Sequence, residues 1–169
     1  MLGILVSILA TLALIVIAMP VGHDKDSVRR TACLGNLQEE ALALLTYAAD
    51  NDDRLPFADR WANAAFSQTR ADKWSDINEF RCPVLTDDAA FGHAFHDGLS
   101  RKTIASQADP YHTPMLFDST DVRWNAHGGF VLLPAAGRHP REKNAIAYLD
   151  GHVSRKTRAE IFQEVASRK

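Results

Sequence analysis

Seven histidines and two cysteines carry most of the chemical range of this sequence. His93 and His96 stand three apart with Asp97 beside them, and His112, His127, His139 and His152 follow. Three imidazoles and one carboxylate are enough to hold zinc. The chain nevertheless contains neither His-Glu-x-x-His nor Cys-x-x-Cys, and the segments around these histidines are turn-like. The expectation is no metal site and no cofactor.

His139, Asp150 and His152 admit a second chemistry, because a carboxylate can orient an imidazole base. No convincing nucleophile accompanies them; Ser154 is near only in sequence. A structural account needs fewer parts. Asp150 can accept backbone N–H groups within its turn, Gly151 can take a positive φ, and a histidine can bond across a hairpin. Pinning rather than catalysis is expected, so the chain reads as non-enzymatic. Cys33 and Cys82 are the only cysteines. In an oxidising compartment they could form a disulfide contributing about 2–4 kcal/mol, and two buried free thiols are equally compatible with the sequence.

The elements that would position these groups follow from periodicity. Over Ser27–Asp50, the residues Val28, Thr31, Leu34, Leu37, Ala41, Leu44, Leu45 and Ala48 recur at three- and four-residue spacings, with Arg30, Gln38, Glu39 and Glu40 largely off that stripe. This predicts a long amphipathic helix, ended by the acidic turn Asp50-Asn51-Asp52-Asp53. Trp61, Phe66, Trp74, Ile77 and Phe80 read as aromatic anchors for a short helix and loops, and Cys82–Pro114 as packed loop with short strands. Strands are expected at Met115–Asp118, Gly129–Leu133 and Ala145–Leu149, the last turning through Asp150-Gly151 into His152-Val153. Thr157–Ser167 reads as a closing helix with Ile161, Phe162 and Val165 inward. The fold class expected is α+β, with a small antiparallel sheet.

Met1–Met19 contains no charged side chain and is followed by Pro20. Nineteen helical residues span about 28 Å, close to the apolar thickness of a bilayer. A cleaved signal peptide or a core helix would be alternatives, but a basic n-region is absent and the remaining domain is small for a buried helix of that length. The division expected is therefore a transmembrane anchor at 1–19 and a head at 20–169. Lys25, Arg29 and Arg30 after the span would, by the positive-inside rule, keep the head cytoplasmic. With 19 basic and 21 acidic residues, the formal charge of -2 provides no global field for a nucleic acid backbone.

Several segments, in this order, resemble a known family. They are the apolar helix ending in Pro20, Arg29-Arg30 with Cys33-Leu34-Gly35-Asn36-Leu37, and Tyr47–Asp52 before Leu55-Pro56. Phe80-Arg81-Cys82-Pro83, Phe91–Phe95, Pro114–Asp118 and Arg138-His139 follow, leading to Asn144 and Asp150-Gly151-His152-Val153. The chain resembles the bacterial type II secretion pseudopilin-like proteins with a C-terminal His-x₉-Asp-Gly domain, of planctomycete type, over nearly its whole length. The resemblance makes His139, Asn144, Asp150, Gly151 and His152 the signature residues. It implies a pilin-like subunit held in the inner membrane by a single pass, with a periplasmic head. Its partners would be the lipid bilayer, further copies or other pseudopilins, and the secretion machinery. Two features differ: the chain starts directly in its apolar run with no Glu before Glu39, and ten residues, Pro140–Leu149, separate His139 from Asp150. The rival reading is a membrane-tethered metal-binding module or hydrolase that uses the histidines.

Overall fold

The computed structural model describes residues 25–69, 80–87 and 90–167. Helix α1 (Lys25–Asp50) is followed by α2 (Trp61–Gln68), then by strands β1 (His93–His96), β2 (Pro114–Asp118), β3 (His127–Gly128), β4 (Lys143–Tyr148) and β5 (Val153–Thr157), and finally by α3 (Arg158–Ala166). The five strands form one sheet in the order β3-β1-β2-β4-β5, antiparallel except for the β1–β3 pair.

Alternation along the strands divides the core into two faces. Phe95, Leu116, Ala145 and Ala147 pack with Leu37, Ala41, Leu44 and Ala48 of α1 and Trp61 and Ala65 of α2. Ala94, Phe117, Ile146 and Tyr148 face the other way, against Phe130, Leu133 and Ile161 of α3. The three helices among the described residues thus cover both faces of the central strands β1, β2 and β4.

Thr157 ends β5 and caps α3. Its hydroxyl accepts from the Glu160 N–H at 3.2 Å while the Glu160 carboxylate accepts from the Thr157 N–H at 2.6 Å. Thr157→Ala is expected to cost about 1 kcal/mol, read as a shift in the urea midpoint at unchanged slope. Ile161 is buried and Val165 half-buried, but Phe162 is exposed under the Arg158 guanidinium rather than turned inward.

Several expectations need correction. The segment Gly129–Leu133 is not a strand: Phe130–Leu132 is a 3₁₀ turn that buries Phe130 and Leu133, three residues apart, and exposes Val131. The paired residues there are His127-Gly128, and they run parallel to β1. Val28 and Thr31 of the expected stripe are exposed on α1. Trp74 and Ile77 lie outside the described residues.

The pilin-like, membrane-spanning form of the fold is corrected as well. Among the described residues no helix is long and apolar enough to cross a membrane. The long helix, α1, has Lys25, Asp26, Arg29, Glu39 and Asp50 exposed along its length, so its apolar side serves the sheet and its other side is charged. The anchor expected over 1–19 lies outside the described residues. The inner-membrane, single-pass placement and the bilayer as partner have no support in the described fold, which is a mixed α+β domain of three helices on a five-stranded sheet.

Candidate functional site

Where α1 crosses the ends of β1 and β2, polar groups replace the apolar core. Cys33 and Glu40 are seven residues apart on α1 and share its buried face with Leu37 and Leu44. Cys82 is fixed by its N–H, which donates to the Phe91 carbonyl at 2.9 Å. His93 opens β1 and Asp118 closes β2, and the two are paired across the strands. Arg138 and His139 come back to the same place through a tight return in which His139 pairs with Lys143. Gly137 makes that return possible: its φ is +69°, and a Cβ there would overlap the Glu142 carbonyl group.

Cys33 and Cys82 are joined in a disulfide with Cα atoms 4.7 Å apart. One ligand atom each from Cys33, Cys82, Asp118 and His139 lies within 4.8 Å of every other, and all four residues are buried. His93 stands against the group, with Nε2 3.6 Å from the Cys33 sulfur and 4.0 Å from Asp118 Oδ1. Its Nδ1 lies 2.9 Å from Glu40 Oε1, and both side chains are out of solvent.

Asp118 is the most heavily bonded group. Arg138 donates to Oδ1 at 2.9 Å and the Ala145 N–H donates to Oδ2 at 2.6 Å. The Arg138 guanidinium also holds the carbonyls of Gly92 and Ser119, tying the Asp118 end of β2 to the start of β1. Asn144 supports this return by accepting from the Arg138 N–H at 3.2 Å and donating to the Pro134 carbonyl at 3.1 Å.

His139 is different. Its Nε2 is 3.3 Å from Asp118 Oδ2, an ion-pair distance without hydrogen-bond alignment, and neither ring nitrogen has a hydrogen-bond partner among the described residues. A ring that is fully buried and unbonded is costly unless something takes its lone pair.

Burial alone would push the Asp118 carboxyl up. The His139 contact, the Arg138 guanidinium and His93 more than offset this, and its pKa falls below the ordinary carboxylate value. Glu40 goes the other way: burial pushes its carboxyl up, and the pull of His93 does not fully offset that.

The histidines and carboxylates singled out in the sequence do not converge as one set. His93 and His96 are three apart on a strand, which places them on opposite faces. His96 stacks on Phe130 at 4.6 Å, and Asp97 pairs with His127 at 2.7 Å. His139 and Asn144 reach the buried cluster. Asp150, Gly151 and His152 lie instead at the β4–β5 turn, where Asp150 accepts from the His152 N–H at 3.1 Å and meets His152 Nδ1 at 2.6 Å. Gly151 there has a φ of +90°, and the His152 ring stacks between Tyr148 at 4.3 Å and Tyr111 at 4.5 Å.

Glu40, Asp118 and Arg138 stand in no motif that marks them as functional. Glu40 reads as off the helical stripe, yet Cys33, Leu37, Glu40 and Leu44 recur at four, three and four residues and form its centre. Asp118, ending the apolar run Pro114–Phe117, carries a weaker signal of the same kind.

The expectation of a purely structural, non-enzymatic subunit is corrected here, because buried cysteine sulfur, imidazole and carboxylate groups converge as metal-binding or catalytic groups do. Comparisons with protein families, with curated proteins and with solved structures return no match for this chain.

Proposed function

We propose that this domain is a thiol-dependent metal-binding module that takes a zinc-class divalent cation in its buried cluster. One observation carries the reading: ligand atoms of Cys33, Cys82, Asp118 and His139 lie within 4.8 Å of one another in residues that are all buried. Two thiolates neutralise a divalent cation, which removes most of the cost of burying its charge. Thiolate and imidazole together favour zinc over magnesium or calcium, which take oxygen ligands. A site enclosed by protein donors suits a structural or regulatory ion; hydrolysis would need an open coordination position for water.

The two sulfurs have mutually exclusive options, a bond to each other as here or bonds to a cation. Metal uptake therefore requires the reduced pair, and the state of the cysteines sets whether the module is loaded. Cys82 lines a cleft with Asn36, Arg81 and Thr86.

The test is zinc content after reduction. Protein reduced under nitrogen, exposed to zinc and freed of excess is expected to retain about one zinc per chain; the oxidised protein is expected to retain none. Cys33→Ser should lose the metal. Folded, reduced protein that retains no zinc would sink the reading.

A further inference from the structure

Two donors compete for the last place in that site, Asp118 and His93, and the hydrogen bonds around them discriminate. Each Asp118 oxygen already accepts a strong bond, Oδ1 from Arg138 at 2.9 Å and Oδ2 from the Ala145 N–H at 2.6 Å. A cation at either oxygen would have to share it with the Arg138 guanidinium or the β4 N–H, whose bonds already fix the carboxylate's orientation.

His93 is arranged in the opposite sense. Its Nδ1 faces the Glu40 carboxyl at 2.9 Å and its Nε2 faces the Cys33 sulfur at 3.6 Å, so the tautomer with its proton on Nδ1 directs the Nε2 lone pair to the sulfur side. A carboxylate behind an imidazole whose other nitrogen faces a ligand sulfur is the arrangement that orients metal-ligating histidines. His139 supplies the second observation, since it is fully buried and its ring nitrogens have no hydrogen-bond partner among the described residues.

We propose that the cation is held by Cys33, Cys82, His93 and His139, with Glu40 orienting His93 from behind and Asp118 remaining outside the coordination shell. This rests on the metal-binding reading above and names its ligands. Two thiolates and two neutral imidazoles form one of the closed tetrahedral sets that zinc takes in structural sites. The arrangement also accounts for Glu40, an acid at the centre of an apolar helix face. In this role Glu40 is a positioning residue that acts through His93.

The donor count can be read without any variant. X-ray absorption of the reduced, zinc-loaded wild-type protein is expected to show two sulfur and two imidazole neighbours. One imidazole with a carboxylate oxygen would overturn the ligand assignment while leaving metal binding intact. Wild-type protein that binds no zinc would instead overturn the parent reading and this one together.

Cobalt titration of the reduced protein adds the positioning role. Glu40→Gln is expected to keep the thiolate-to-cobalt absorption but weaken affinity about 10–100-fold. His93→Gln should lose the tetrahedral cobalt spectrum, with circular dichroism confirming that the domain remains folded. Glu40→Gln affinity equal to wild type, or an unchanged cobalt spectrum in folded His93→Gln, would overturn it.

Discussion

Arg138→Met is expected to destabilise the domain by about 3–5 kcal/mol, the usual consequence of removing one partner from a buried ion pair. Both side chains are almost wholly out of solvent, at 7% for Arg138 and 0% for Asp118. The guanidinium bridges Asp118 and the carbonyls of Gly92 and Ser119, so its loss leaves a charged carboxylate and two carbonyls short of a donor. Urea unfolding should show this as a lower midpoint at unchanged slope. Asp118→Asn in the same background should recover part of the loss, because the charge left stranded is then gone. A loss below about 1 kcal/mol would place the pair with solvent-screened surface bridges, against the burial observed.

The same pair carries a pH dependence of defined sign. The folded pKa of Asp118 is depressed, so its contribution is present above the unfolded value of about 3.9 and is lost as pH falls through the folded value. Arg138→Met should flatten that acid loss. Glu40 acts oppositely: its folded pKa is raised, so its contribution is present below about pH 4.3 and is lost as pH rises through the folded value. Wild-type protein is therefore expected to lose less on acidification than Glu40→Gln, which lacks the compensating group.

The parts of this fold legible in the sequence are those where local pattern and tertiary role agree. Leu37, Ala41, Leu44 and Ala48 announce a helix face and occupy one. Pro114–Asp118 and Lys143–Tyr148 combine β-forming and apolar residues and pair as central strands. Phe130–Leu133 misleads because four apolar residues in a row fit either a strand or a 3₁₀ turn, and only the neighbouring packing of Phe130 and Leu133 decides between them. His93–His96 is obscure for the opposite reason: its pairing partners are Asp118, Phe117 and Leu116, more than twenty residues away, and nothing local marks it as a strand.

The candidate site was legible only in fragments for the same reason. Cys33, His93 and His139 are separated by 60 and then 46 residues, so no spacing rule connects them. Buried acids are harder still. Glu40 has the polarity of a surface residue, and only the four-three-four recurrence through Cys33, Leu37 and Leu44 shows that it points inward. A charged residue in register with a core stripe is therefore better read as a paired buried group than as an interruption of the stripe.

Reducing the Cys33–Cys82 bond in the presence of a chelator is expected to cost about 4 kcal/mol, the loop-closure value for a separation of 49 residues. The bond ties α1 to the segment that follows Phe80, and the Asn36 amide donating to the Arg81 carbonyl at 2.7 Å is a second link between the two. If the cysteines act only as a staple, stability stays at that lower level whatever cation is supplied. If they are also ligands, zinc restores it, because an ion bound only by the folded chain adds about 4 kcal/mol at a thousandfold excess over its dissociation constant. The expected order of thermal midpoints is oxidised and reduced-plus-zinc together at the top, with reduced-plus-chelator below both. Cys82→Ser should collapse the three to one low value, since it removes the covalent link and a metal ligand at once. A midpoint recovered by zinc in the reduced wild type and absent in Cys82→Ser would mean that the same two sulfurs hold the fold together in either of two chemical forms.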